Sequence, residues 1–104
     1  MRKSDYVVHL AAESHVDRSI SSSDSFVKTN CLGTDSIMDA VRVTNIERAV
    51  HIGTDEVYGS VETGSSLETD LLEPRSPYSA SKAGSDLIAL SHFYTHGIPL
   101  SVTR

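Results

Sequence analysis

Apolar residues in this chain follow two rhythms, and the alternation between them outlines a fold. Short continuous runs occur at Tyr6 to Ala11, Ala49 to Ile52 and Leu100 to Thr103, with the length and composition of strands buried on both faces of a sheet. Between the first two runs, Phe26, Val27, Cys31, Ile37, Met38 and Val41 recur at helical spacing, with Asp24 placed to cap the helix and Asn45 to close it. Gly33 is a weak point inside that helix. Between the second and third runs, Ala80, Ala83, Leu87, Leu90 and Tyr94 alternate steps of three and four, the stripe of an amphipathic helix that Pro77 opens and Gly97 ends.

Strand, helix, strand, helix, strand with long crossovers predicts an α/β fold: a parallel sheet with right-handed connections and flanking helices. Ligands of such sheets bind beyond the carboxyl ends of the strands, so Ala11 to Arg18 and Gly53 to Gly59 are the segments to watch. The stretch from Ser60 to Ser76, rich in Gly, Ser, Glu and Thr, reads as a long loop over a binding site. A Rossmann-type sheet normally opens with a Gly-rich turn whose amides hold a phosphate, and none of the six glycines makes that pattern. The expectation is a partial Rossmann-type domain over 1–104 that lacks its first phosphate-binding βαβ unit.

At 104 residues the chain has room for one domain or part of one. A net charge of -5 argues against nucleic acid as a partner. The acidic residues Glu62, Glu68, Asp70 and Glu73 are interrupted by Gly and Ser and read as a solvated loop. Cys31 is the single cysteine, which excludes an internal disulfide, fits a reducing cytoplasm and suggests a small buried apolar residue. The apolar run after Arg2 and Lys3 is short and interrupted by His9, so it reads as a strand and not a secretory leader. No run is long enough to cross a membrane.

Two segments carry candidate chemistry. Tyr78 and Lys82, in Pro77-Tyr78-Ser79-Ala80-Ser81-Lys82, lie on one helical face, where an ammonium can approach a phenol. A phenol titrates near 10, so a tyrosine base at neutral pH needs about 4 kcal/mol of preferential stabilisation of phenolate, part of which a fixed cation can supply. Thr54-Asp55-Glu56 places a hydroxyl and two carboxyls just past a buried strand, able to remove one proton and deliver another. Taken singly, an Asp-Glu pair after a strand is commonly a cap or solvated turn, and a Tyr-x-x-x-Lys spacing arises by chance. His9 and His51 fall in strands and read as packed neutral side chains. His92 and His96 sit late on a helix, where imidazolium is favoured, and His15 is nearest the site. Tyr58 reads as packing below the active loop, and no His, Cys, Asp and Glu spacing suggests a metal.

Together, Thr54-Asp55-Glu56-Val57-Tyr58-Gly59, Tyr78-Ser79-Ala80-Ser81-Lys82, the upstream His9-Leu10-Ala11-Ala12-Glu13-Ser14-His15-Val16-Asp17-Arg18-Ser19, and Thr29-Asn30 with Gly33-Thr34 resemble one family. It is the NAD-dependent nucleotide-sugar 4,6-dehydratases of the extended short-chain dehydrogenase/reductases, those acting on dTDP-glucose in particular. The resemblance covers about Asp5 to Arg104. It implies NAD as cofactor and a dTDP-glucose substrate oxidised at carbon 4, dehydrated across carbons 5 and 6, and reduced at carbon 6. By resemblance Tyr78 is the base at the 4-hydroxyl, and Lys82 lowers its pKa and binds the nicotinamide ribose. Thr54 holds the 4-oxygen, Glu56 removes the carbon 5 proton and Asp55 protonates the departing 6-hydroxyl. Leu10, Ala11, Ala12, Glu13, Ser14 and Thr29 would line the NAD site with Tyr78 and Lys82, and Ser14 would also touch the sugar nucleotide.

The resemblance further implies a homodimer built on helices of this domain, a Gly-rich turn before Met1, and a C-terminal substrate domain after Arg104. One departure is Gly53, where the family commonly has Ser; the expectation is altered backbone freedom with the chemistry intact. A related UDP-sugar dehydratase and a catalytically silent binding module remain open alternatives.

Overall fold

Three parallel strands, β1 (Tyr6–His9), β2 (Arg48–Ile52) and β3 (Leu100–Thr103), lie side by side in that order in the computed structural model, which describes every residue from Met1 to Arg104. Val7 pairs with Ala49 and His9 with His51, while Ala49 pairs with Leu100 and His51 with Val102. β1 stops at His9, so Leu10 and Ala11 leave the sheet into a loop and do not extend the strand.

Burial on both faces, expected from the unbroken apolar runs, holds on one face only. Ala49 and His51 are buried, whereas Tyr6 and Val8 are 65% and 58% exposed. The strand order explains this: two right-handed crossovers stepping in one direction across a sheet lay both helices on the same face. The core on that face is Met38, Val41, Ile46, Ala49, Ala89 and Ile98, with Val7, Ile37, Leu100 and Val102 packed against it.

The first crossover is more elaborate than a single helix. A short α1 (Val16–Ser21) forms first, and α2 (Asp24–Phe26) then widens into a π-helical segment, Val27–Leu32, before α3 (Gly33–Arg42). Ser23 takes the N-cap position, and Asp24 begins the helix, accepting from the Ser22 hydroxyl at 3.0 Å. Helical structure ends at Arg42, short of Asn45. Phe26, Asn30, Thr34 and Met38 are all buried, a stripe advancing four residues at a time. In a pure α-helix each such step overshoots the turn by about 40°, and the stripe would rotate away from the core. The π-helical segment, in which the Gly33 amide reaches the Lys28 carbonyl five residues back, takes up the excess.

The second crossover helix, α4 (Pro77–His96), has the predicted ends. Ser76 and Ser79 cap one another, and Gly97 closes the helix at φ 66°. Its buried face differs from the predicted one. Leu87 and Tyr94 of the apolar stripe are 57% and 78% exposed, while the inward residues include Ser81, Lys82, Ser85, Asp86, Ala89 and His92. The inward serines donate to carbonyls three residues back, Ser81 to Tyr78 at 2.7 Å and Ser85 to Lys82 at 2.8 Å, so they bury without orphaned hydroxyls. Their small size, with Gly84 against Cys31, lets α4 lie close on the π-helical segment. No helix is long and apolar enough to cross a membrane.

Candidate active site at the carboxyl edge of the sheet

Beyond β2 the chain turns sharply. The Gly53 amide donates to the Thr103 carbonyl at 2.8 Å, and Thr54 caps a 3-10 turn, Asp55–Tyr58, its hydroxyl accepting from the Glu56 amide at 3.3 Å. Val57 is fully buried beneath the turn, and its carbonyl accepts from the Glu73 amide at 2.9 Å. Gly59 ends the turn at φ 80° with no room for a side chain, since a Cβ would lie 2.6 Å from the Glu73 carbonyl. Asp55 and Glu56 are thus exposed carboxyls on a turn pinned from below.

Gly53 has a different reason from the expected backbone freedom. A Cβ there would lie 2.5 Å from the Thr103 carbonyl oxygen and 3.0 Å from Asp86 Oδ1. The residue is glycine because two elements close on it.

Tyr78 meets this turn from α4. Its amide donates to Ser19 Oγ at 3.0 Å, tying α1 to the start of α4, and its ring stands edge-on to Phe26. Burial pushes the phenol pKa up, and the Glu56 carboxylate pushes it further; the Thr54 hydroxyl opposes, and Asp55 adds to the rise. The residues behind these causes, Thr54, Asp55 and Glu56, all belong to the turn after β2. The expected depression by Lys82 is absent because the ammonium is engaged elsewhere: Lys82 Nζ donates to the Ile52 carbonyl at 3.0 Å. Burial lowers the pKa of Lys82, and the nearby Asp86 carboxylate partly restores it.

The loop after β1 is held by one residue that the sequence pattern did not single out. Asn30, buried on the π-helical segment, accepts from the Glu13 amide at 2.9 Å, donates to the Glu13 carbonyl at 3.1 Å and to Ser81 Oγ at 2.8 Å. Leu10 and Ala11 are exposed at the strand end, Ala12 and Glu13 half-buried, and Ser14, His15 and Thr29 exposed. A cleft of about 250 Å³ opens beside Glu56, walled by Val16, Gly59, Arg75 and Ser76, so the loop from Ser60 to Ser76 contributes a wall.

Behind the site lies a buried polar network. His9 Nε2 is 3.0 Å from Thr34 Oγ1, and the His9 and His51 rings lie 5.3 Å apart. Burial, then His51 and Lys82, lower the pKa of His9, which keeps it neutral as its strand position suggested. His51 Nε2 lies 3.0 Å from Asp86 Oδ1, and Arg104 Nε donates to Asp86 Oδ2 at 2.9 Å. His92 is also buried, 2.8 Å from an Asp35 carboxylate oxygen. Half-buried Cys31 donates to the Ser81 carbonyl at 3.4 Å, and burial raises its pKa, leaving a poor nucleophile. Half-buried Tyr58 accepts from Arg104 Nη1 at 3.1 Å. Ser19, Ser81, Asp86 and Arg104, like Asn30, were given no role from the sequence, although Asn30, Ser19 and Ser81 stand within the motifs that carry the resemblance; the other signal is polarity at positions a helix or strand end turns inward.

Comparison with known proteins agrees with this geometry. The chain is 57% identical over 104 residues to dTDP-glucose 4,6-dehydratase of Streptomyces antibioticus, covering 100% of this chain and 31% of that protein. The crystal structure of DesIV, a dTDP-glucose 4,6-dehydratase from Streptomyces venezuelae with NAD bound, superposes with a TM-score of 0.95 at 50% identity, over 99% of this chain and 32% of that one. UDP-glucuronic acid 4-epimerase from Bacillus cereus, in complex with UDP-glucuronic acid and NAD, superposes with a TM-score of 0.90 at 29% identity, over 96% of this chain and 32% of that one. The chain therefore spans about a third of the length of these relatives. The fold is accordingly part of a Rossmann-type domain of the extended short-chain dehydrogenase/reductases. With the profile of GDP-mannose 4,6 dehydratases matching residues 1–104 from end to end, the chain belongs to that family.

Proposed function

We propose that these residues form the central part of the NAD-binding domain of a dTDP-glucose 4,6-dehydratase, a cytoplasmic hydro-lyase. The observation that carries this reading is the packing of the turn that bears Thr54, Asp55 and Glu56 against α4, the helix that bears Tyr78 and Lys82, with Lys82 bonded to the Ile52 carbonyl just before that turn. An epimerase or a simple dehydrogenase needs a base at one carbon; elimination needs a proton removed and another delivered in the same site.

The strand ends suit NAD. β1 ends at His9 beside His51, one residue before Ile52, whose carbonyl holds Lys82. Small and apolar residues, Leu10 to Ala12, leave this edge open to a flat ring, and Glu13, Ser14 and Thr29 border it. NAD bound there would supply the hydride exchange that oxidises carbon 4 and later reduces carbon 6. Tyr78 Oη receives the proton of the 4-hydroxyl, with Thr54 Oγ1 directing the oxygen and Ser14 bordering the sugar nucleotide. Because the phenol pKa is raised in the free chain, the base role requires Lys82 to exchange the Ile52 carbonyl for a place nearer the phenol. Its flexible four-carbon stem allows this without backbone movement. Glu56 then removes the carbon 5 proton, and Asp55 protonates the 6-hydroxyl as it leaves as water.

The outward stripe of α4, with Leu87 and Tyr94 exposed, supports a second copy of the same chain as the partner. The test of function is a chimera in which these 104 residues replace the matched third of the Streptomyces antibioticus relative. It should convert dTDP-glucose, and UDP-glucose poorly, to the 4-keto-6-deoxy sugar, and Glu56→Gln and Asp55→Asn should each lower kcat by about 10²-fold or more. Full rate in both variants would refute the roles given to the carboxyls, and an inactive parent chimera would refute the reading itself.

A further inference from the structure

We infer that Arg104 and Asp86 are positioning residues that clamp the Asp55–Tyr58 turn and so fix the two carboxyls for elimination, an inference that rests on the dehydratase reading above. Arg104 stands at the end of β3, where its guanidinium joins three elements. Nε donates to Asp86 of α4 at 2.9 Å, Nη1 donates to the Tyr58 hydroxyl at 3.1 Å, and Nη1 lies 3.5 Å from the Glu68 carbonyl of the long loop. The guanidinium carbon also lies 5.5 Å from the Tyr58 ring centroid, so the ring is held by its face as well as by its hydroxyl. Tyr58 is the last residue of the turn that carries Asp55 and Glu56.

Asp86 makes the anchor rigid. It is fully buried, and both oxygens are used, one toward His51 at 3.0 Å and the other toward Arg104. The carboxylate lies directly behind Gly53, with Oδ1 and Oδ2 at 3.0 and 3.1 Å from where a Cβ would stand. Glycine at 53 thus leaves the space in which the carboxylate meets Arg104 behind the turn. Val57 pins the middle of the turn into the core and its carbonyl holds the Glu73 amide, but the Gly59 amide bonds only back to Glu56 within the turn, which leaves Arg104 as the side chain that ties the Tyr58 end to the end of the sheet. A fork on a rigid carboxylate restricts that end to one orientation. Asp55 and Glu56 are exposed, so their aim on a bound sugar depends on how firmly the turn is held.

Two measurements test the clamp. Hydrogen exchange read by mass spectrometry on the chain itself should show residues 54–59 exchanging about tenfold faster in Arg104→Met and Asp86→Asn, beyond any increase shared with α3. In the chimera, Arg104→Met should lower kcat by about tenfold to a hundredfold with KM within about twofold. Quenched reactions should then accumulate the 4-keto sugar nucleotide that retains its 6-oxygen, because oxidation proceeds and elimination lags. Arg104→Lys should recover part of the rate. Tyr58→Phe, which removes one hydroxyl and leaves the Asp86 and Arg104 pair intact, should show the same accumulation to a smaller degree and serves if the other variants fail to fold. Unchanged exchange at 54–59, or a fall in kcat with no 4-keto intermediate, would overturn the inference. An inactive parent chimera counts against the dehydratase reading alone, and the exchange measurement still decides the clamp.

Discussion

The two faces of α4 reverse the ordinary rule for an amphipathic helix. The outer face shows Leu87 and Tyr94 to solvent, while the inner face buries Ser81, Lys82, Ser85, Asp86 and His92. The inner face is tolerable because most of its polar groups are matched: serines bond their own helix, Lys82 bonds the Ile52 carbonyl, Asp86 is held between His51 and Arg104, and His92 Nε2 meets Asp35, leaving the Nδ1 atoms of His51 and His92 without partners. Polarity on this face serves the site and the sheet together, whereas apolarity on the other face is the surface proposed for a second copy. The difference teaches that a helix bearing chemistry cannot be oriented from its apolar stripe alone.

The largest effect expected on the inner face is chemical. Tyr78→Phe keeps the edge-on contact with Phe26 and removes only the hydroxyl proposed as the base. In the chimera it should lower kcat by about a thousandfold while leaving the thermal midpoint nearly unchanged. Steady-state kinetics and a thermal melt on the same sample check this. A loss of stability comparable with the loss of rate would show that the hydroxyl belongs to the packing and not to the site.

Next comes the structural half of that face. Asp86→Ala leaves Arg104 and His51 without their buried acceptor, and breaking such a pair costs about 3–5 kcal/mol. Urea denaturation of the chain should show that loss, large against the whole stability of a small domain. A cost below about 1 kcal/mol would mean that water replaces the carboxylate and that the face is less sealed than its burial indicates.

Much of the fold was legible because the strands and the ends of α4 carry local signals. Pro77 and Gly97 act within one turn of themselves, and the three apolar runs have few other uses. The one-sided sheet was not legible, because coverage of a face depends on the direction of crossovers and not on the residues of the strand. The π-helical segment was hidden for a similar reason: a four-residue stripe from Phe26 to Met38 looks like a helix with irregular faces until Asn30 is seen to be buried. In the candidate site, Tyr78, Lys82 and the Thr54 to Glu56 turn stood out through spacing and type. Asn30, Ser19, Asp86 and Arg104 did not, since their partners lie 17 to 59 residues away and only folding brings them together.

A smaller effect separates the neutral part of the buried network from the charged part. The folded pKa of His9 is lowered from 6.5 by burial and by His51 and Lys82, with Thr34 as its hydrogen-bond partner. Below pH 6.5 the unfolded chain therefore takes up a proton that the folded chain refuses, so stability falls as pH drops toward the folded pKa and is unaffected by His9 above 6.5. One proton sets a ceiling of about 1.4 kcal/mol per pH unit on that slope. Urea titrations at several pH values should show the acid loss in the parent and a flatter curve in His9→Gln; equal slopes would assign the effect to other groups.

The smallest change in folding stability is expected on the outer face, where it is most informative. Leu87→Ser and Tyr94→Ser alter side chains 57% and 78% exposed, so the fold of a single chain should shift by no more than about 0.5 kcal/mol. Self-association should respond far more, because the same stripe is the surface proposed above for a second copy. Sedimentation of the chimera should give dimers for the parent and a tenfold or larger increase in dissociation constant for the double variant, since two buried apolar side chains contribute about 1.4 kcal/mol or more. If the variant loses folding stability instead and still dimerises, the outer face is packed against the rest of the chimera, and the contrast between the two faces of α4 shrinks to the inner one.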